Sequence, residues 1–201
     1  RQAVAVRLVP DHRLRDDHHD HRLDQLAVAV AVVLVAEEPI LGREAKLVSM
    51  PAAYRKLGVV WLEGEHLCQA LRLRGRPAAQ ALVAETAWQR ADVRELAAWA
   101  ARVAVVSDAL FAGVSSLESP AGIGFVIDVP SPQPVKAAMA TVVLDRLQDA
   151  GNVGSILRSA SALGFGQVLA LAGTAALWSP KVLRAGMGAH FALDLAEGLA
   201  A

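Results

Sequence analysis

Two turns rich in polar residues, glycine and proline lie close together between Leu144 and Phe191. They constrain the fold more than any other feature of the chain. The first turn reads Gln-Asp-Ala-Gly-Asn-Val-Gly and ends at Gly154, between an apolar run and an amphipathic segment. The second is a Ser-Pro pair at Ser179, followed by a basic first turn. Two strand-to-helix turns this close together indicate a ligand-binding α/β unit.

Apolar periodicity predicts the elements around these turns. Residues 141–147 form an apolar run that predicts a strand, and residues 152–163 repeat apolar side chains at helical spacing, with Gly164 as the stop. Residues 168–172 predict a second strand, parallel to the first, because the connection has the length of a βαβ crossover. Ser179 and Pro180 predict the start of a helix that extends to about Met187, and residues 191–195 predict another strand.

Strands and helices also alternate upstream, which predicts a compact α/β domain over residues 43–130. The predicted strands are 59–62, 79–84, 103–107 and 122–129. The predicted helices are 43–57, broken or restarted at Pro51, then 67–73, 90–102 and 108–114. A stiff proline-rich linker over residues 131–137 leads to the second unit, residues 138–201.

Residues 1–42 differ in composition from the rest of the chain, and we predict that they form an atypical, poorly packed extension. A segment dense in His, Asp and Arg precedes an Ala/Val run that has no partner pattern. The histidines at His12, His18, His19 and His21 could suggest a metal, but no scaffold holds them, so no metal site is expected. The apolar run from Leu26 to Ala36 is shorter than the roughly 20 residues of a membrane-spanning helix, so no membrane partner is expected. It also lacks the basic flank of a signal peptide.

Charge and cysteine usage narrow the function classes. The formal net charge is +0, so any RNA binding must come from local basic patches and not from a global field. Cys68 is the single cysteine, which excludes an internal disulfide and favours a reducing, cytoplasmic compartment. We predict that it is a small core residue, since nothing nearby would activate a thiol.

Taken alone, the residues of the two turns leave alternatives open. Asn152 could cap a helix in an ordinary tight turn or offer its amide to a ligand. Arg158 could be a solvated helix charge or a ligand contact, while Lys181 and Arg184 could be surface charges or phosphate ligands at a positive helix end. A Walker loop is excluded because no Gly-Lys-Ser/Thr follows, and a Rossmann fingerprint fits poorly.

In combination the segments are far more specific. LDRLQDAGNVGSILRSASALGFGQVLAL, which begins at Leu144, followed by WSPKVLRAGMGAHF, which begins at Trp178, closely resembles the SpoU/TrmH family of RNA ribose 2′-O-methyltransferases. Upstream, WLEGEHL from Trp61, VVSDALF from Val105 and SPAG from Ser119 look like that family's ribosomal-protein-like substrate-binding domain.

The resemblance implies an α/β fold in which a small substrate-binding domain precedes a truncated α/β-knot (SPOUT) methyltransferase domain. It implies methyl transfer from S-adenosylmethionine to a ribose 2′-hydroxyl of rRNA or tRNA, with RNA as partner, no metal, and a homodimer as the full-length form. Asn152 and Arg158 match the family's catalytic motif. The residues implied to contact RNA are Arg55, Lys56, Glu63, His66, Lys181 and Arg184.

The chain also departs from the family pattern. Two further motifs, one acidic and one that forms the knot and the cofactor pocket, are expected downstream of Ala201, together with the cofactor-binding residues. Glu197 and Gly198 fall too early for the acidic motif, and we interpret them as coincidence. S-adenosylmethionine is therefore expected to bind weakly to these residues. The alternative function is a non-catalytic RNA-binding protein or an inactive fragment.

Overall fold

Five strands form the first sheet of the computed structural model, which describes residues 32–33 and 38–200. They are β1 (Val32–Val33), β2 (Val59–Glu63), β3 (Gln80–Ala84), β4 (Val103–Val106) and β5 (Ile123–Asp128), in the order β1-β4-β3-β5-β2. Strands β1, β4 and β3 are parallel, whereas β5 runs antiparallel to both β3 and β2. Strands β2 to β4 are buried along their whole length, which explains why they read as continuous apolar runs.

Six helices surround this sheet: α1 (Glu38–Ser49), α2 (Tyr54–Leu57), α3 (Glu65–Leu73), α4 (Glu85–Trp88), α5 (Ala91–Ala97) and α6 (Asp108–Ala112). The break predicted at Pro51 is confirmed, since it lies between α1 and α2. The single helix predicted over residues 90–102 is wrong, because α5 ends at Ala97. There the Ala101 amide donates to the Ala78 carbonyl at 2.9 Å, which turns the chain into β4.

Three parallel strands form the second sheet: β6 (Thr141–Leu144), β7 (Gln167–Leu171) and β8 (Asp194–Leu199), in that order. Helix α7 (Ala150–Ala162) joins β6 to β7, and α8 (Pro180–Gly186) precedes β8. The predicted parallel pairing is confirmed, with Thr141 opposite Gln167 and Leu144 opposite Ala170. The strand predicted at 191–195 is displaced, because a 3-10 turn (Ala189–Ala192) buries Phe191 in the core before β8 begins.

The first residues are described only in part. Val32 and Val33 pair in parallel with Val103 and Ala104, so the prediction that the Ala/Val run has no partner is wrong for these two residues. Helix α1 begins at Glu38, ahead of the predicted start at residue 43. Residues 1–31 and 34–37, including the His/Asp-rich segment, lie outside the described part of the chain. Among the described residues, none of the helices combines the length and the apolar character of a membrane span.

The end of the linker contacts the second unit, and the second unit in turn contacts the first. The Lys136 amide donates to Gln167 Oε1 at 2.9 Å, and Lys136 Nζ lies 2.8 Å from Asp194 Oδ2, so the linker is fastened to the amino ends of β7 and β8. Further along, a Cβ at Gly188 would lie 2.6 Å from the Cβ of Ala70. The segment after α8 therefore packs directly against α3 of the first unit.

Cys68 is fully buried, and burial raises the pKa of its thiol, which confirms the prediction that it is a core residue.

His190 predicts a pH dependence of stability. The ring is fully buried beside Trp178, its Nε2 donates to the Leu177 carbonyl at 2.9 Å, and burial lowers its pKa from 6.5 to about 4. Between these values the unfolded chain binds a proton that the folded chain does not. Stability is therefore unaffected above pH 6.5 and is lost as pH falls towards 4, by about 3 kcal/mol in total.

Urea denaturation across that range measures this effect, with His190→Gln as the comparison. Glutamine keeps a donor for Leu177 but does not titrate. The difference in unfolding free energy between the two proteins should grow with pH between 4 and 6.5. Parallel curves would contradict the assignment, whatever the absolute stability of the variant.

Candidate functional site

A cleft of about 990 Å³ lies between the two units. Its walls are the starts of α7 and α8, the end of α1, and the loop that carries Ser116. The α7 and α8 walls follow the carboxyl ends of the parallel strands β6 and β7, which is the edge where α/β sheets bind ligands. The polar side chains on these walls belong to Ser49, Ser116, Gln148, Asp149, Ser179, Lys181 and Arg184.

The start of α7 is capped by Asp149. This residue is extended, and its Oδ1 accepts a hydrogen bond from the Asn152 amide at 2.7 Å. The suggestion that Asn152 caps this helix is therefore wrong: Asn152 lies in the first turn, and its side chain is exposed. The capping carboxylate also faces the partial positive charge of the helix start, which stabilises the turn at the cleft wall.

Asn152 and Arg158 both lie on α7 but not among the residues that line the cleft. They are exposed, and six residues of helix separate them by roughly 9 Å along the axis. Arg158 forms no ion pair with any residue that the structure describes. Its guanidinium is therefore available to a ligand that approaches α7 from the solvent.

Arg184 reaches the first unit through Ser116. Its Nη1 donates to Ser116 Oγ, and that hydroxyl donates in turn to Glu63 Oε2 at 2.9 Å. The Ser116 amide also donates to Glu63 Oε2 at 2.9 Å, and the Ser115 hydroxyl donates to Oε1. This series of contacts links β2, the Ser116 loop and α8.

Glu63 does not fulfil the predicted contact with RNA. Glu63 is only 6% exposed, and its carboxylate accepts hydrogen bonds from Ser115 and Ser116. A buried, fully engaged carboxylate has no free surface to offer, and its charge would repel phosphate. Glu63 instead positions the loop that meets Arg184.

Arg55 is also engaged within the protein, because Glu197 binds it. Arg55 Nη2 lies 3.0 Å from Glu197 Oε2, and the Tyr54 hydroxyl donates to both carboxylate oxygens at 2.5 and 2.7 Å. The Leu177 amide adds a third donor, at 3.2 Å from Oε2. The hydrogen bond with Glu197 raises the pKa of Arg55, and burial together with that carboxylate raises the pKa of Tyr54.

Glu197 is thus a contact between the two units, a structural role that is separate from the question of whether it belongs to the family's acidic motif. No local pattern could have revealed this role, because Tyr54 lies 143 positions away in sequence. Ser116 was missed for the same reason. Of the remaining predicted residues, Lys181 lies at the cleft, while Lys56 and His66 are exposed elsewhere.

Glu197→Gln is expected to lower the free energy of unfolding by about 1–2 kcal/mol, because the amide turns an NH2 group towards Tyr54 and Arg55. The matched control is Asp194→Asn in the same strand, which breaks only the surface pair with Lys136 and should cost about 0–1 kcal/mol. Chemical denaturation compares them. Equal losses would show that the contact at Glu197 contributes no more than a surface pair.

Within the described residues, no group of His, Cys, Asp and Glu side chains is arranged to hold a metal ion.

Comparison with known families agrees with the resemblance read from the sequence. Residues 139–199 match the SpoU rRNA Methylase family. This segment includes all of β6, α7, β7, α8 and β8, so the helix starts that line the cleft belong to the matched region. The resemblance to SpoU methylases is confirmed for this part of the chain.

Individual relatives carry similar names. The chain is 40% identical over 93 residues to the mitochondrial rRNA methyltransferase 3 of Mus musculus, covering 42% of this chain and 22% of that protein. It is 33% identical over 87 residues to the 23S rRNA (guanosine(2553)-2′-O)-methyltransferase RlmP of Bacillus subtilis (strain 168), covering 43% of this chain and 35% of that protein. The chain thus spans about a fifth to a third of the length of these relatives.

Solved structures confirm the predicted fold class. The SpoU methyltransferase AviRb from Streptomyces viridochromogenes, in complex with its cofactor AdoMet, superposes with a TM-score of 0.72 at 22% identity, over 82% of this chain and 64% of that one. The α/β fold of this chain, with its parallel second sheet, is therefore SPOUT-like.

Proposed function

We propose that this chain is part of an RNA ribose 2′-O-methyltransferase that uses S-adenosylmethionine. The observation that carries the proposal is that the segment matching SpoU methylases, residues 139–199, also supplies both helix starts of the cleft between the units. The names of the relatives support rRNA as the substrate, and the Bacillus subtilis relative supports the ribose 2′-hydroxyl as the acceptor.

The cleft suits the RNA side of the reaction. Lys181 and Arg184 bring positive charge to its wall, where, among the described residues, Asp149 is the one lining carboxylate and is already bound by the start of α7. Ser116 and Ser179 add hydroxyl groups. Cations and hydrogen-bond donors of this kind recognise phosphate and ribose, so we assign this cleft to the RNA backbone near the target nucleotide.

The same residues fit S-adenosylmethionine poorly. Its sulfonium is a cation, and the described lining of the cleft sets two basic side chains against the single carboxylate of Asp149, which already caps α7. When bound, the cofactor supplies a methyl group on a good leaving group, so no metal is needed. We propose that its site is formed by residues beyond Ala201, as the family resemblance implies.

Arg158 and Asn152 are proposed to act on the ribose. A guanidinium stays protonated at any physiological pH, so Arg158 orients the phosphate or the ribose and does not remove the hydroxyl proton. Asn152 offers an exposed amide to the same substrate, roughly 9 Å away along the same helix. Holding the hydroxyl in line with the methyl group is the main task, since orientation alone accounts for much of the rate of such displacements.

The proposed partner is RNA, the proposed full-length form is a homodimer as in the family, and the proposed compartment is the cytoplasm. The single buried thiol of Cys68 supports the last of these, because it needs no oxidising environment.

Transfer of a labelled methyl group from S-adenosylmethionine to rRNA tests the proposal. The full-length protein should modify the RNA, and the modified position should resist alkaline hydrolysis because its 2′-hydroxyl is blocked. Binding of RNA without any methyl transfer would instead favour the alternative of a non-catalytic RNA-binding protein.

A further inference from the structure

An arginine-rich turn lies at the end of the first unit that faces away from Glu63. We call it the arginine turn and define it as residues 72–76 together with Trp99 and Arg102. Strand β2 runs to Glu63 near the cleft, and α3 then leads back for 9 residues, or roughly 13 Å, to the turn. The turn is therefore separate from the site described above.

Hydrogen bonds hold the two parts of the arginine turn together. Trp99 Nε1 donates to the Arg76 carbonyl at 2.8 Å, and Ala78 and Ala100 form a parallel bridge just beyond. Gly75 has a φ of +63°, which allows the chain to reverse tightly after α3. Trp99 is still 40% exposed and Leu73 is 86% exposed. An indole fixed by its own N–H while part of its ring remains in solvent is an apolar platform.

The turn is also locally cationic in a chain with a formal net charge of +0. Arg72 pairs with Glu95 at 2.9 Å. Arg74 and Arg102 are exposed, Arg76 is half-buried, and none of these three is ion-paired with a side chain described over residues 42–200. Unpaired arginines beside an exposed aromatic ring are the composition of a surface that binds nucleic acid.

We propose that the arginine turn binds an unpaired stretch of the RNA substrate that lies outside the cleft, a role that rests on the proposed function. One base stacks on Trp99, while Arg74, Arg76 and Arg102 contact the phosphates on either side. Stacking requires a free base face, which duplex RNA conceals, so the turn selects single-stranded RNA. The surface thereby adds affinity and orientation at a distance from the reacting ribose.

Fluorescence anisotropy with the 201-residue chain tests the proposal. The probes are a labelled single-stranded RNA of about 20 nucleotides and a duplex of the same length, titrated at several salt concentrations. The test variant carries Arg74→Gln, Arg76→Gln and Arg102→Gln. The control carries Arg90→Gln, Lys136→Gln and Arg146→Gln, which remove the same charge from exposed residues that are already ion-paired.

The test variant should bind single-stranded RNA about tenfold or more weakly than the control. A plot of the logarithm of the binding constant against the logarithm of the salt concentration should have a slope that is smaller in magnitude by about 2 for this variant, because three phosphate contacts are lost. Trp99→Ala should weaken binding by roughly 5- to 100-fold at every salt concentration, while Trp99→Phe, which keeps a ring, should retain most of it. Circular dichroism confirms that each variant is folded.

Equal affinities of the test and control variants would overturn the proposal. So would equal affinity of the chain for duplex and single-stranded RNA, or no binding of either. These outcomes are independent of the proposed function, because methyl transfer by the full-length protein and its dependence on Arg158 are measured separately. Loss of methyl transfer with intact binding at the arginine turn would instead contradict only the enzyme assignment.

Discussion

Gly154→Ala is expected to lower the free energy of unfolding by about 2–3 kcal/mol, although alanine is the better helix former by up to about 1 kcal/mol. Helices α7 and α8 touch at this residue. A Cβ on Gly154 would lie 2.4 Å from the Cβ of Ala185 and 2.7 Å from the Gly186 amide nitrogen. Because backbone atoms cannot yield as a flexible side chain can, the two helices must separate, and the cleft between their starts must widen.

Gly151→Ala is the matched control for this prediction. It makes the same substitution in the same helix, but its Cβ would meet only Asp149 Oδ1, at 3.2 Å. This variant should be as stable as the parent or slightly more so. Urea denaturation of both variants measures the difference. If Gly154→Ala were as stable as Gly151→Ala, the close approach of α7 and α8 described above would be wrong.

Arg158→Ala in the full-length protein is expected to lower methyl transfer at least about tenfold while leaving its folding intact. The side chain is exposed and makes no ion pair with any described residue, so its removal costs the fold little. It loses one charge-assisted contact with ribose or phosphate, worth about 1.5–3 kcal/mol in the transition state.

Lys136→Ala is the control for Arg158→Ala. It also removes an exposed cation, but at the amino ends of β7 and β8, on the opposite edge of the sheet from the cleft. Its turnover should equal that of the parent. Steady-state rates with rRNA and unfolding curves for both variants decide the matter. Parental turnover of Arg158→Ala would reduce this arginine to a surface charge.

The second unit shows how far local pattern predicts structure. Contiguous residues specify the crossover from β6 through α7 to β7. They consist of an apolar run, a capped turn, apolar side chains at helical spacing, and a glycine that ends the helix. The parallel pairing of the two strands was therefore predictable from the sequence, whereas their register came from the structure. The error at residues 191–195 has a different origin. The segment is apolar enough for a strand, but Phe191 is used to fill the core beside Trp178. Burial by distant residues overrode the local preference.

The candidate site divides in the same way. The sequence by itself determined the family motif, the helix start at Ser179, and the presence of Lys181, Arg184 and Arg158 on α7 and α8, since all of these lie within one contiguous segment. It placed the start of α7 at Asn152, whereas the structure places the cap at Asp149. Only the tertiary structure decided which charges are free. Glu63 and Arg55 look like surface residues in the sequence, but Ser116 and Glu197, which lie 53 and 142 positions away, engage them. The physical reason is that a charged side chain takes its role from whatever the fold brings within hydrogen-bond distance, and that neighbour is not encoded in the residues beside it.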